Sequence, residues 1–194
     1  MIADADTKLF EWINSLAGRN WLLDKFVMWT VNDYFIPILM TLLMVTLWFS
    51  GRSLPQRERN QRVFIRALTC MGIANGFVKI SNDIFFRPRP YVGHAAHMLF
   101  YPPTDSSFPS NGAAVTFALA TAVFISNRKL GSVLYFLCLV WGFARVTAGV
   151  HYPFDILGGW AFGTFTTLFV YYLLIYVEPW VTFIIRAFRK VYLA

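Results

Sequence analysis

Charge is what this chain has least of: 14% of its 194 residues are Asp, Glu, Lys or Arg, and only 10 of them are acidic. A soluble domain of this length carries about a quarter of its residues as charge, so a water-exposed globular fold is excluded. Cysteine is nearly absent too. Cys70 and Cys138 lack metal-ligand spacing and fall inside apolar segments, which makes them core fillers. Internal repeats, low-complexity stretches and linkers are missing, so residues 1–194 read as a single membrane-embedded domain. The amino terminus has no basic region followed by an apolar core, and no cleavable signal is expected.

What the chain does have is apolar surface in long runs. Hydrophobic residues make up 57% of it, with 20 Phe, 9 Tyr and 7 Trp. Runs at 29–49, 63–86, 108–126, 130–145 and 154–177 are long enough to span about 30 Å of hydrocarbon. The expected fold is all-α: a polytopic transmembrane helical bundle of five spans. Residues 21–31 either extend the first span or form a sixth, and Asp24, Lys25 and Asn32 favour extension. Residues 7–17 place Leu9, Phe10, Ile13 and Leu16 on one face and Lys8, Glu11 and Asn14 elsewhere, the pattern of an N-terminal interfacial helix.

Positive charge sets the orientation. Arg52, Arg57, Arg59 and Arg62 lie between the first two spans, Arg128 and Lys129 follow Ser126, and Arg186, Arg189 and Lys190 lie in the tail. All three groups share one side, which the positive-inside rule makes cytoplasmic. Segments 87–107 and 148–153 then face the periplasm or cell exterior. The net charge of +7 is topological, calls for no nucleic acid, and favours membrane lipids as partners.

Three polar elements converge on that outward side. The first is Arg87-Pro88-Arg89-Pro90. The second runs from Ser106 to Ala114 and includes Pro109-Ser110-Asn111-Gly112 at a helix start. The third, residues 145–155, holds Arg145, His151 and Asp155 between two apolar segments. Charge near a bilayer core is costly, so such a cluster marks function. Guanidinium forks match phosphate oxygens, and free N–H groups at a helix start bind anions. On a helix that begins near His151, Asp155 lies one turn away, close enough to hold one ring nitrogen. Each element also has a plainer reading: a stiff helix exit, a Ser110 cap, an Asp155 cap with Arg145 as interface anchor.

The order RPRP, SFPSNGAA and ARVTAGVHYPFD resembles the signature of the type 2 phosphatidic acid phosphatase family, membrane lipid phosphatases related to vanadium haloperoxidases. The resemblance runs from Lys79 to the helix after Asp155. Chain length and the opening segment are similar to the bacterial undecaprenyl-diphosphatase branch. It implies a metal-independent lipid phosphatase or diphosphatase without cofactor, acting on a polyprenyl diphosphate or related lipid phosphate. In that reading His151 is the nucleophile that forms a phosphohistidine and Asp155 orients it. Arg145, Arg87 or Arg89, and the N–H groups of Ser110, Asn111 and Gly112 hold the phosphoryl oxygens. A lipid phosphotransferase would use the same intermediate, and a binding-only pseudoenzyme is the third reading.

Two departures bear on the chemistry. Gly112 stands where the family carries the histidine that protonates the leaving group, and Asn111 where it carries glycine. General acid catalysis contributes about 10²- to 10⁴-fold, so its loss should be severe for an alkoxide. A phosphate monoester, with a second pKa of about 6, leaves without much help, which favours a diphosphate substrate. His94 and His97 offer an alternative acid, and with Asp105 a remote metal pattern. The second departure is Lys79, one residue out of the family's register before Arg87 but kept as a phosphate ligand because its stem can reach along a helix.

Overall fold

Each turn of the chain has a local cause. The computed structural model describes residues 2–190, which are helical and irregular with no strand among them. Helix α1 (Ile2–Asn14) opens the chain, and α2 (Trp21–Val31) starts where Asn20 Oδ1 accepts the Leu22 N–H at 2.8 Å. Asn32 ends α2, and its side chain accepts the Tyr34 N–H at 2.8 Å. Helix α3 (Phe35–Phe49) then leaves at 56° to α2, with Pro37 in its first turn, where a missing N–H costs nothing. The sequence reading ran one span through 29–49; the Asn32 turn instead breaks it, and Asp33 sits in the break.

Helix α4 (Leu54–Ile84) has 31 residues, about 46 Å at 1.5 Å per residue, so its charged first turns overshoot any hydrocarbon layer. The short α5 (Pro90–Gly93) follows the two outward arginines. Helix α6 (Asn111–Ser126) is capped by Ser110, α7 (Arg128–Thr147) by Asn127, and α8 (Pro153–Tyr176) starts on a proline at a position that needs no N–H. Residues expected as a basic tail fold into α9 (Glu178–Lys190).

Helix α6 is the centre of the bundle. Ten of its residues are buried, against α4, α7 and α8. Its closest neighbour is α8, whose Gly159 and Gly163 lie four apart; a Cβ on either would run into the Ser110 or Ala114 carbonyl. Small residues at this spacing let two backbones approach closely. Met40, Met44, Cys70, Phe117, Val123, Leu134, Cys138 and Val170 fill the core around them, with both cysteines buried and free.

Helices α4, α7 and α8 are long and apolar enough to cross a membrane, and the bent α2–α3 pair makes a fourth candidate; α6, with 16 residues, is apolar but shorter. Phe136, Leu139, Phe165, Phe169 and Tyr172 stand exposed along α7 and α8, an apolar surface that suits lipid rather than water. The basic segments gather at one end. Arg189 pairs with Glu58 at 2.8 Å and Arg62 with Glu178 at 2.7 Å, while Asn60, Asn127 and Lys129 line one cavity. The 16-residue length of α6 puts the Ser110 end about 24 Å away, at the opposite face.

Candidate active site

At that opposite end, four segments deliver the polar residues. The close α6–α8 packing seats Ser110 beside the start of α8, where the Ser110 N–H donates to the Asp155 carbonyl at 3.1 Å. After α7, the chain turns through Gly149 at φ +84°, a backbone that favours glycine, and presents His151 just before Pro153. The Arg87–Pro90 segment crosses over both.

His151 is 2% exposed. Its Nδ1 lies 3.1 Å from the Ser107 carbonyl, which can only accept, so Nδ1 carries the proton. Nε2 therefore offers its lone pair, and it faces Arg89 Nη1 at 3.2 Å and Ser110 Oγ at 3.4 Å. Burial drives the imidazole pKa down from 6.5 to about 4, with the nearby Arg145 and Arg89 charges adding to the fall and Asp155 opposing it. The ring is neutral at pH 7, the state a nitrogen nucleophile needs.

Asp155 is fully buried, but its nearest oxygen is 3.7 Å from His151 Nδ1. The expected direct His–Asp hydrogen bond is replaced by a relay. Asp155 accepts the Ser107 hydroxyl and the Tyr152 N–H, the latter at 2.8 Å, and Ser107 in turn presents its carbonyl to the imidazole. The carboxylate thus caps α8 and also holds Ser107, the residue whose carbonyl meets His151.

The two arginines of the Arg-Pro-Arg-Pro segment part company. Arg89, 4% exposed, gives Nη1 to the Val150 carbonyl at 2.8 Å, Nη2 to Asp105 at 2.7 Å and Nε to the Asp105 carbonyl at 3.1 Å, and it faces Nε2. Arg87 lies between two carboxylates, Asp155 at 2.6 Å and Asp6 at 2.7 Å, with its guanidinium 4.2 Å from the Tyr152 ring centre. It ties α1 to α8. Asp6, Phe10 and Asn14, one turn apart, form the buried face of α1, whereas Leu9, one of the residues expected on its apolar face, is 40% exposed. Asn14 binds the His97 N–H and the His97 and Thr147 carbonyls, which fastens the outward loop.

A cavity of about 290 Å³ opens beside Arg89, the residue that faces His151 Nε2, and is lined by Asp33, Arg89, Tyr101, Asp105, Asn111, Gly112, Thr116, Trp141 and Arg145 among others. Arg145 donates to Asp33 at 2.7 Å, and Tyr101 donates to the other Asp33 oxygen at 2.6 Å. The Asp33 and Asp105 side chains are 37% and 62% exposed, so each arginine holds a carboxylate on its solvent side, where an anionic ligand would exchange with it. The arrangement can bind a tetrahedral anion against a neutral imidazole nitrogen.

Arg89, Arg145, Asn111 and Gly112 thus share one cavity, and His151 lies next to it behind Arg89, with Ser110 on the other side of Nε2. Arg87 and Asp155 stand behind them. Lys79 lies exposed on α4, away from the lining; His94 packs on the Tyr152 ring at 6.1 Å and His97 lines a different cavity with Asn14 and Arg19. Sequence reasoning missed Asp6, Asp33, Ser107 and Trp141. Asp33 had a signal, being a carboxylate inside an apolar run, while Asp6 was readable only from its i, i+4, i+8 stripe with Phe10 and Asn14.

The chain belongs to the PAP2 superfamily, whose model matches residues 64–178, and is a membrane hydrolase of the lipid-phosphatase type. It is 28% identical over 193 residues to "Undecaprenyl-diphosphatase BcrC" of Bacillus subtilis (strain 168), an alignment covering 95% of this chain and 92% of the relative. Among solved structures it resembles Aquifex aeolicus LpxE with a TM-score of 0.60 and 26% identity, over 84% of this chain and 92% of that one. It shares its fold with the first transmembrane PAP2 type phosphatidylglycerolphosphate phosphatase from Bacillus subtilis, with a TM-score of 0.62 and 18% identity over 89% and 85% of the two chains.

Proposed function

We propose that this chain hydrolyses a polyprenyl diphosphate to the lipid monophosphate and inorganic phosphate through a phosphohistidine on His151. The observation that carries the reading is the one lone pair on Nε2, aimed at Arg89 and Ser110, where Arg89 itself lines a cavity walled by Arg145. The terminal phosphoryl group enters between Nε2 and Arg89, and Arg89 turns its donor from the imidazole to a phosphoryl oxygen. Arg145 and the N–H groups at the start of α6 take the others, in exchange for Asp105 and Asp33. Nε2 attacks phosphorus and the anhydride oxygen leaves with its electron pair. Positive charge that develops on the ring is stabilised through Nδ1 by the Ser107 carbonyl and, behind it, Asp155. Water then cleaves the P–N bond, returns the pair to Nε2 and releases phosphate.

No metal takes part in this scheme. The bent α2–α3 pair with α4, α6, α7 and α8 makes five spans, the basic end is cytoplasmic, and the cavity opens outward with α1 along the outer interface. The similarity to an undecaprenyl-diphosphatase supports the substrate class. In detergent with a chelator present, the purified protein is expected to release phosphate from undecaprenyl diphosphate, and His151→Ala to abolish that release. Release that persists in His151→Ala sinks the mechanism.

A further inference from the structure

Gly112 has lost more than an imidazole, because the space beside it is filled. A Cβ placed on Gly112 would overlap Cη2 of Trp141, with Cζ3 only 2.7 Å away. Trp141 is 3% exposed and belongs to the main core, so its ring has little room to yield. The bundle has closed over the site of the missing acid from the α7 side.

What closes it is itself unsatisfied. The indole Nε1 of Trp141 and Nε of Arg145 are buried and have no hydrogen-bond partner among the described residues, and neither has Asn111 Oδ1. All three residues line the cavity that Arg89 shares. A buried N–H without a partner costs about 1–3 kcal/mol, so a small shift of this wall that brings the two donors to acceptor oxygens of a ligand recovers that cost. Neither releases its proton near neutral pH: guanidinium stays charged and the indole N–H is a donor only.

We propose that Trp141 is the residue that makes this site specific for diphosphates, taking the place of the family's acid and offering the leaving group a hydrogen bond instead of a proton. The inference rests on the hydrolase reading above. When Nε2 bonds to the terminal phosphorus, the bridging P–O bond breaks and its electron pair stays on the lipid monophosphate. That oxygen leaves as an anion, stabilised by Trp141 and Arg145, and takes no proton from the protein. With a monophosphate substrate the same pair would remain on an alkoxide, which departs slowly without a proton. Wild type therefore discriminates by leaving group, and the discrimination depends on Trp141 in two ways, as a donor and as a plug.

The test compares phosphate release from undecaprenyl diphosphate and undecaprenyl phosphate by wild type, Trp141→Phe, Gly112→His, and Gly112→His combined with Trp141→Ala. Wild type should favour the diphosphate by about 10² or more in kcat/KM. Trp141→Phe keeps a ring in the plug and removes the N–H, so kcat on the diphosphate should fall about tenfold with KM changed less, since a leaving-group contact acts in the transition state. Gly112→His alone should lower both activities, because the imidazole has no room. The double variant makes room, and monophosphate cleavage should rise about tenfold or more over wild type. Equal cleavage of the two lipids by wild type overturns the proposal. So does Trp141→Phe with unchanged kcat on the diphosphate, and this arm decides if the double variant proves too unstable to assay. A wild type that releases phosphate from neither lipid overturns the hydrolase reading itself.

Discussion

Both ends of the bundle set arginines against carboxylates, and they use them differently. At the basic end, Arg62 and Arg66 meet Glu178 while Arg189 meets Glu58, with the Glu178 and Glu58 side chains 31% and 32% exposed. At the other end, Asp6 and Asp155 are almost wholly buried, and Arg87 joins them. Water screens the first set, so it can anchor α9 to α4 without fixing much else. The second set has no water to fall back on, so every oxygen must find a donor in the protein, and the donors it finds are those that shape the site: the Ser107 hydroxyl, the Tyr152 N–H and the Phe154 N–H. The same residue types make a surface fastening at one end and a rigid buried frame around His151 at the other.

The sharpest way to break this contrast is to remove the shared cation. Arg87→Ala leaves two buried carboxylates facing each other without their counter-ion. Because Arg87 is itself partly exposed, the lower end of the range for a broken buried pair applies, about 3 kcal/mol, and the melting temperature in detergent should fall on the order of 10 °C. Phosphate release should fall with it, as Asp155 and Ser107 lose their fixed positions. An unchanged melting temperature would show that the buried cluster is no frame.

A middle-sized effect comes from acid. The folded protein refuses His151 a proton that the unfolded chain accepts near pH 6.5, since burial holds its pKa at about 4. The unfolded state binds more protons in that window, so stability falls as pH drops from 6.5 toward about 4 and is untouched above it. His151→Asn has no such group and should lose less melting temperature than wild type over the same interval. Parallel curves for the two proteins would mean that burial does not depress this imidazole.

The smallest effect belongs to the basic end. Glu178→Gln should change stability by no more than about 1 kcal/mol, measured by melting in detergent, and should leave phosphate release unaltered. A loss as large as that of Arg87→Ala would erase the difference between the two ends.

Much of this was readable along the chain. The apolar runs gave the helices, the arginine clusters gave one basic end, and the three polar elements gave the residues that meet at the other. The bend in the first span at Asn32 is not in that reading, because two adjacent polar residues, Asn32 and Asp33, barely lower a hydropathy average over a run this long. Arg87 and Arg89 could not be told apart. In an Arg-Pro-Arg-Pro segment of polyproline-like backbone, three residues make a turn, so side chains two apart diverge by about 120° and meet different surroundings. Which one faces the imidazole depends on where α1 and α8 bring their carboxylates.

By itself, then, the sequence determined composition-driven facts: an apolar helical chain for a bilayer, an ordered set of polar elements at the turns opposite its basic ones, and a glycine at position 112 where an acid is expected. Those follow from residue type and period, which are local. Only the tertiary structure decided that Asp155 bonds Ser107 rather than His151, and that Arg87 joins the buried carboxylates while Arg89 faces the imidazole. It also decided that Trp141 fills the place beside Gly112. Each of these pairs residues far apart in the chain, and close packing of α6 between α7 and α8 is what brings them within contact distance.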